Sequence, residues 1–508
     1  MKVLSFSRGW VASACALVGV LAIPAVAAAT IHNVSNPWEL NTAMGSLSPG
    51  DEVVLAAGYY DLDTYAHGYY ITTSNVTIRG QSGNAGDVVL WGGGMNNSSG
   101  VYEAIQFAAS DITLKDLTLE GFYHHAVHFA PAGDRCVVDN VTTLNIGEQH
   151  MKGAVNNDDC VIRNCKLYQT EERVCRPGHP VSPCNYIGGI DLHGARRVEI
   201  YDNLVMDITG AADGGDGGIF LWNASQDCVI ERNVVIGCSK GIELGNPSDQ
   251  GVWQVQDTIV RNNFILSRPN EDIALELCYT LNCKVYNNTI YRTGDPGSAD
   301  WGRTIHIYDR LPEPGKPAHL TTNLDIRNNI IRGAVSDNTV AGGWSSAEIA
   351  AMGNIVDVAG TLVLPEWFVD PDNLNLHLTE AALAAIDAGA VLADVSEDID
   401  RGPRPYGDFP DMGADEYGSP MGDINYDGKV DGGDYTIWAD NYGQSGVGWS
   451  GGDLNGDDAV DGGDYTLWAD NYNFGVAGAA PVPEPASLAL LATAAAATGL
   501  KRKVRRVS

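Results

Sequence analysis

The sequence predicts an all-β solenoid, a parallel β-helix, on three observations. From about Ile31 to Tyr417, short β-branched runs alternate with Asn, Asp and Gly turns, and no segment keeps a helical period over several turns. A strand-plus-Asn phrase returns there at irregular periods of roughly 23 to 40 residues. A second phrase, with a small first residue, returns between its copies.

The first phrase is Cys136-Val-Val-Asp-Asn140, Cys160-Val-Ile-Arg-Asn164, Val198-Glu-Ile-Tyr-Asp-Asn203, Cys228-Val-Ile-Glu-Arg-Asn233, Thr258-Ile-Val-Arg-Asn-Asn263, Lys284-Val-Tyr-Asn-Asn288 and Asp325-Ile-Arg-Asn-Asn329. Each copy is a strand ending in an Asn turn. Winding the chain places the same turn above the last, so Asn side chains stack and hydrogen-bond along a ladder while aliphatic residues stack inside. Cys136 and Cys160 then fall in one column as small buried hydrophobes, with a cross-coil disulfide as the lesser alternative.

The second phrase is Ala126-Val-His-Phe129, Ala154-Val-Asn-Asn157, Gly189-Ile-Asp-Leu192, Gly218-Ile-Phe-Leu221, Gly241-Ile-Glu-Leu244, Ala274-Leu-Glu-Leu277 and Thr304-Ile-His-Ile307. Alternate strand residues point to opposite faces, so the third residue of each copy points outward. This predicts an outward column of His128, Asn156, Asp191, Phe220, Glu243, Glu276 and His306. Two residues on, a parallel column holds Ala130, Asp158, His193, Trp222, Gly245, Cys278 and Tyr308.

These repeats make the chain resemble the right-handed parallel β-helix family that includes pectate-lyase-like enzymes and related surface proteins, over about three quarters of its length. The segments Ile386-Asp-Ala-Gly389, Asp400-Arg-Gly-Pro-Arg-Pro405 and Asp411-Met-Gly-Ala-Asp-Glu416 look like the end segment common in such secreted proteins, a cap over the exposed sheet edge.

The formal charge of -33 excludes a phosphate-tracking surface, since nucleic-acid and anionic-membrane binding draw on clustered Lys and Arg. Sugars or cations are the better partners. Lys2 and Arg8, the apolar stretch Val11 to Val20, Pro24 and the small residues Ala25 to Ala29 fit a secretory signal peptide. Loss of Cys15 with that peptide leaves nine of the ten cysteines, an odd number in an oxidising compartment. Cys175 and Cys184 bracket a loop that a disulfide would close.

Downstream, Asp423, Asn425, Asp427, Asp431 and Asp434 supply oxygens at positions one, three, five, nine and twelve of a loop, with Gly428 at its sharp turn. Asp453, Asn455, Asp457, Asp461 and Asp464 repeat the set, with Asp458 where the turn Gly is expected. Each loop runs into Asp-Tyr-Thr-(Ile or Leu)-Trp-Ala-Asp-Asn-Tyr, a short amphipathic helix. The duplication, with Asp at position twelve, resembles type I dockerin modules. That resemblance implies a small α-helical calcium-binding module whose ten ligands are these residues, and docking to a cohesin-like domain; a calcium-stiffened spacer is the equal alternative.

Pro483-Glu-Pro485, the apolar run Leu488 to Leu500 and the basic end Lys501 to Arg506 look like the PEP-CTERM sorting signal of bacteria. The run falls short of the about twenty residues that span a bilayer. The organisation is therefore a signal peptide at 1–29, the β-helix at 30–418, the dockerin-like module at 419–474 and a linker with sorting tail at 475–508. The product is secreted or held at the cell surface, with transient C-terminal attachment and a processing enzyme at the membrane.

Chemistry concentrates on the outward face. Coils repeat at about 4.8 Å, so Glu243 and Glu276 are near neighbours and cannot both ionise freely. Their spacing suits the carboxyl pair of retaining glycoside hydrolysis, about 5 to 5.5 Å apart, and it also suits calcium. Asp191 stands two coils away, on the order of 10 Å. Asp213 and Asp216 lie in the Gly-rich loop before Gly218, Phe220 and Trp222 offer flat faces for a sugar ring, and His193 stands between the charged and aromatic coils.

A second chemistry is β-elimination on a uronate polymer, in which a cation neutralises the carboxylate and a base removes the adjacent proton; Lys152, His193, Arg303 and His306 are candidates. The motifs Arg-x-Pro-x-x-Arg, Gly-His-Gly and Arg-Ile-Lys are absent. The sequence thus favours a polysaccharide lyase or glycoside hydrolase over a non-catalytic glycan-binding or adhesive protein.

Overall fold

The computed structural model describes residues 29–474 except 66, 175–184, 211–214, 248–250, 270, 295–302, 313, 315–316, 374, 419, 426–428, 446, 448 and 456–458. The expected signal peptide, the Cys175–Cys184 loop, Asp213, Asp427, Asp457 and the sorting tail lie outside the described residues.

The chain winds as a parallel β-helix. From the second copy on, each Asn phrase supplies two short strands separated by its turn, such as Val161–Arg163 and Lys166–Tyr168, and both pair in parallel with their counterparts one coil on. The residue at the corner takes a left-handed conformation, with φ between 50° and 58° at Asn140, Asn164, Asp202, Arg232, Asn262, Asn287 and Asn328. Asn and Asp tolerate that region best, which is why they recur there.

From the third copy on, the next residue is the buried Asn of the ladder. Asn203, Asn233, Asn263, Asn288 and Asn329 each donate through Nδ2 to the Oδ1 of the next Asn at 2.8–3.0 Å, and Asn354 ends the series. Asn140 and Asn164, half-buried, stand at the corner itself instead, donating to Asp116 and Asp139 of the preceding coil at 2.8 and 2.9 Å.

The second phrase builds a ten-stranded parallel sheet, the wall. Its strands in chain order are β1 (Tyr69–Ile71), β2 (Glu103–Phe107), β3 (His125–Phe129), β4 (Gln149–Gly153), β5 (Gly188–His193), β6 (Gly217–Trp222), β7 (Lys240–Leu244), β8 (Ile273–Cys278), β9 (Arg303–Tyr308) and β10 (Val335–Asn338). Ile190, Ile219, Ile242, Leu275 and Ile305 stack in register and are fully buried, each stabilising the fold by roughly 1.5–3 kcal/mol relative to exposure.

The small residue opening each phrase also faces inward. A β-carbon on Gly218 would meet Cys238 Sγ at 3.0 Å, and one on Gly241 would meet the Ala274 carbonyl at 2.3 Å. Cys136 and Cys160 are buried, unbonded and stacked, since their neighbours Val137 and Val161 pair.

Among the described residues, two short α-helices interrupt the all-β pattern of the body. Pro37–Met44, capped by Asn36, packs on the first coil, and Ser346–Ala351 carries a capping box from Ser345 and Glu348. After the last coil, the segment through Glu416 folds over the helix: Asn262 Nδ2 donates to the Glu397 carbonyl and Asn328 Nδ2 to that of Ala390, both at 2.7 Å. Helices Gly432–Asn441 and Gly462–Asp470 follow, from the two C-terminal repeats.

Candidate functional site

The outward column of the wall runs Gln106, His128, Lys152, Asp191, Phe220, Glu243, Glu276, His306 and Ser336. It corrects the expected column at one coil. Lys152 of β4, not Asn156, stands between His128 and Asp191, and Asn156 lies beyond the strand with φ 68°. Asp158 likewise leaves the second column and bridges Arg196. His193 and Trp222 are paired as expected, as are Cys278 and Tyr308.

A third outward row, unforeseen in the sequence, comes three residues before the first. The inward turn of each small residue inserts one extra position, which brings Lys240 back beside Glu243 and Arg303 beside His306. Gly188 and Gly217 fill this row where the wall is most crowded; a β-carbon on Gly217 would stand 3.0 Å from Glu243 Oε2.

Asp191 organises the centre of the wall. One of its oxygens, Oδ2, accepts from Lys152 Nζ. The other, Oδ1, accepts from the Trp222 indole at 2.9 Å and lies 3.4 Å from His193 Nε2. Burial pushes the Asp191 carboxyl up, but the neighbouring His193 imidazole and Lys152 outweigh it and hold the group ionised, below its ordinary range. Asp216 goes the other way, raised by burial and by the Asp191 charge, while Gln149 Nε2 donates to it at 3.3 Å.

Trp222 packs on His193 with ring centroids 4.1 Å apart. Phe220 is 4% exposed and stacks parallel to Trp222 at 5.5 Å. Phe220 therefore props the indole and offers no open face for a sugar; that part of the expectation is corrected by its burial.

Two coils on, Glu243 and Glu276 are cross-strand neighbours with Lys240 between them, its Nζ donating to Glu243 Oε1 and, at 2.9 Å, to Glu276 Oε2. Both acids are 2% exposed. Burial pushes the Glu243 carboxyl well above its ordinary range, with Lys240 opposing and the Glu276 charge adding to the rise. Burial acts likewise on Glu276, but His306, whose Nδ1 is 2.8 Å from Oε1, and Lys240 outweigh it and keep Glu276 ionised. Arg303 ends the row, bonding Asp272 at 2.7 Å with its other nitrogen 3.4 Å from His306 Nε2.

Toward the N-terminal end, the wall carries a cluster that the repeat phrases do not mark. His128 Nδ1 is 3.5 Å from Glu103 Oε2, and the Glu148 oxygens lie 3.6 and 3.8 Å from His124 and His125. Burial lowers His125 to about 4, whereas Glu103 falls to about 2 because His124 and His128 outweigh its burial. The adjacent pair His124-His125 between two acids is the signal that could have drawn attention to it.

In the C-terminal repeats the described flanks of the two loops share one hydrogen-bond pattern. Asp434 Oδ1 accepts the backbone N–H groups of Ile424 and Asn425 at 2.8 and 3.1 Å, and Asp464 Oδ1 those of Leu454 and Asn455 at 2.7 and 3.0 Å. Asp431 and Asp461 cap the following helices through matching boxes. Trp438 Nε1 donates to the Asp461 carbonyl and Trp468 Nε1 to that of Asp431, a reciprocal pair at 3.0 and 3.1 Å.

Residues 99–265 match the family model described as the right handed beta helix region, and residues 481–506 match the PEP-CTERM protein-sorting motif. No curated protein matches the chain. Among solved structures, it is similar to pectate lyase Pel9A at 13% identity, covering 77% of this chain and 97% of that one with a TM-score of 0.46. It is also similar to an alginate lyase from Paenibacillus sp. str. FPU-7 at 14% identity, covering 65% and 98% with a TM-score of 0.40. Likenesses this remote carry no information on mechanism. The winding of the coils makes this a parallel β-helix protein, and the PEP-CTERM motif marks it as exported, secreted or held at the cell surface.

Proposed function

We propose that the protein cleaves an extracellular uronate-bearing polysaccharide by β-elimination at the centre of the wall. One observation carries this reading: His193, with an 18% exposed side chain, stands against the buried Asp191 carboxylate beside Lys152 and Trp222. With Nε2 turned to Asp191, Nδ1 is left to take the proton next to a uronate carboxyl. Lys152 is the cation that would hold that carboxyl. Trp222 supplies the flat face for a sugar ring, and Asp216, held toward its protonated form, is the acid for the departing oxygen.

Hydrolysis is the second reading, and the opposite protonation of Glu243 and Glu276 favours it. A carboxylic acid beside a carboxylate is the pair that glycoside hydrolysis uses. Both are buried deeper than His193, which places them second.

The test is incubation of the full chain with a panel of acidic and neutral polysaccharides in calcium, reading unsaturated-uronate absorbance and reducing ends together. The expected result is absorbance rising with new ends, and a loss of about 10³-fold in His193→Ala. New ends without absorbance, lost in Glu243→Gln, would move the activity to hydrolysis. Binding without turnover across the panel would leave a glycan-binding surface.

We further propose that the two C-terminal loops each hold one calcium ion through the ten oxygen-bearing residues named above, supported by the matching geometry of Asp434 and Asp464. Calorimetry should give two sites, with one lost in Asp434→Ala; a count of zero ends the proposal. Docking to a cohesin-like domain rests on the sequence resemblance alone.

A further inference from the structure

The end segment holds a second cluster, far from the wall chemistry. His377 lies on the strand Asn375–Leu378, Asp400 in the turn after Ile399, and Asp415 in the run Gly413 to Glu416. His377 Nε2 is 2.8 Å from Asp400 Oδ2, and one donor atom from each of the three residues lies within 4.8 Å of the others. Asp415 is fixed from behind, its Oδ2 accepting the Leu378 N–H at 2.6 Å.

Buried acids crowd around it. Asp398, Asp411, Asp415 and Glu416 are all buried, and Asp398 spends its oxygens on the N–H groups of Asp400, Gly402 and Glu416. Arg404 is taken by Glu416 at 2.6 Å, and Arg401 reaches away to Asp202. His377 stands within reach of both Asp400 and Asp415. A hollow of about 390 Å³, lined by His377, Asp400, Asn375, Phe264 and Arg232 among others, opens beside the cluster.

We propose that His377, Asp400 and Asp415 bind one divalent transition-metal ion, for which zinc is the fitting probe. One imidazole and two carboxylates suit zinc, whereas calcium would ask for six to eight oxygens. Three protein ligands from three separate stretches leave a position for water on the side of the hollow. The ion joins the strand, the turn and the final loop of the end segment in one staple.

The full chain, with calcium saturating the C-terminal loops, is stripped of transition metals, dialysed against zinc and counted for bound metal. The wild type should retain one zinc more than His377→Ala or Asp400→Asn, and zinc should raise its Tm by about 3 °C while leaving both variants unmoved. Asp400→Asn is isosteric and partly exposed, so it carries the comparison where His377→Ala fails to fold by circular dichroism. Equal zinc content in wild type and Asp400→Asn, or none in either, overturns the proposal.

Discussion

The asparagine ladder and the outward wall are both columns of buried polar side chains stacked by the same coil repeat, yet they treat their polar atoms differently. In the ladder every Asn repeats its neighbour's bonds: Asn263 accepts from Asn233 and donates to Asn288 and to the Ile230 carbonyl. In the wall the outward residue changes at every coil except Glu243–Glu276, and among the described residues Glu243 Oε2, Gln149 Oε1 and His193 Nε2 find no hydrogen-bond partner. Stacked amides, each with a donor and an acceptor, close one another's valences and hold the coil. Unlike residues leave charge and bonding capacity to spend on something else.

That contrast can be broken or sharpened by substitution. Asn263→Ala strips partners from buried groups on both neighbouring coils and should cost about 3 kcal/mol or more in urea unfolding, with turnover per folded molecule unchanged. A loss of turnover without a loss of stability would erase the distinction. In the wall, Trp222→Ala should raise KM about tenfold through the lost stacking face, with a smaller change in kcat; an equal fall in kcat would make the indole part of the chemistry through Asp191.

The smallest effect separates the two regions by pH. Glu243 is held above its unfolded value, so its contribution to stability is present below the ordinary carboxyl range and is lost as pH rises through the folded value. The urea midpoint of the wild type should therefore fall more between acidic and neutral pH than that of Glu243→Gln. Asn263→Ala, which removes no titrating group, should keep the wild-type slope.

Much of this was legible in the sequence because the fold repeats. The column through Asp191, Phe220, Glu243, Glu276 and His306 follows from alternation and a small first residue. The fourth coil misled because Ala154-Val155 imitates the phrase, while the true strand, Gln149–Gly153, carries Met151 inward where its neighbours carry Ile or Val. Lys240 escaped notice because strict alternation sends it to the wrong side; only the inward Gly241 returns it to Glu243. The closed face of Phe220 was illegible too, since alternation says which way a ring points and not what lies over it.

The central claim is that Asp191 acts through His193, and a double-mutant cycle on turnover of a uronate polymer tests it most directly. If Asp191 serves to hold and orient the imidazole, Asp191→Asn and His193→Ala should each cost about 10³-fold, and the double variant should be no slower than either single one. Losses that multiply in the double variant would show two residues working independently and would contradict the account.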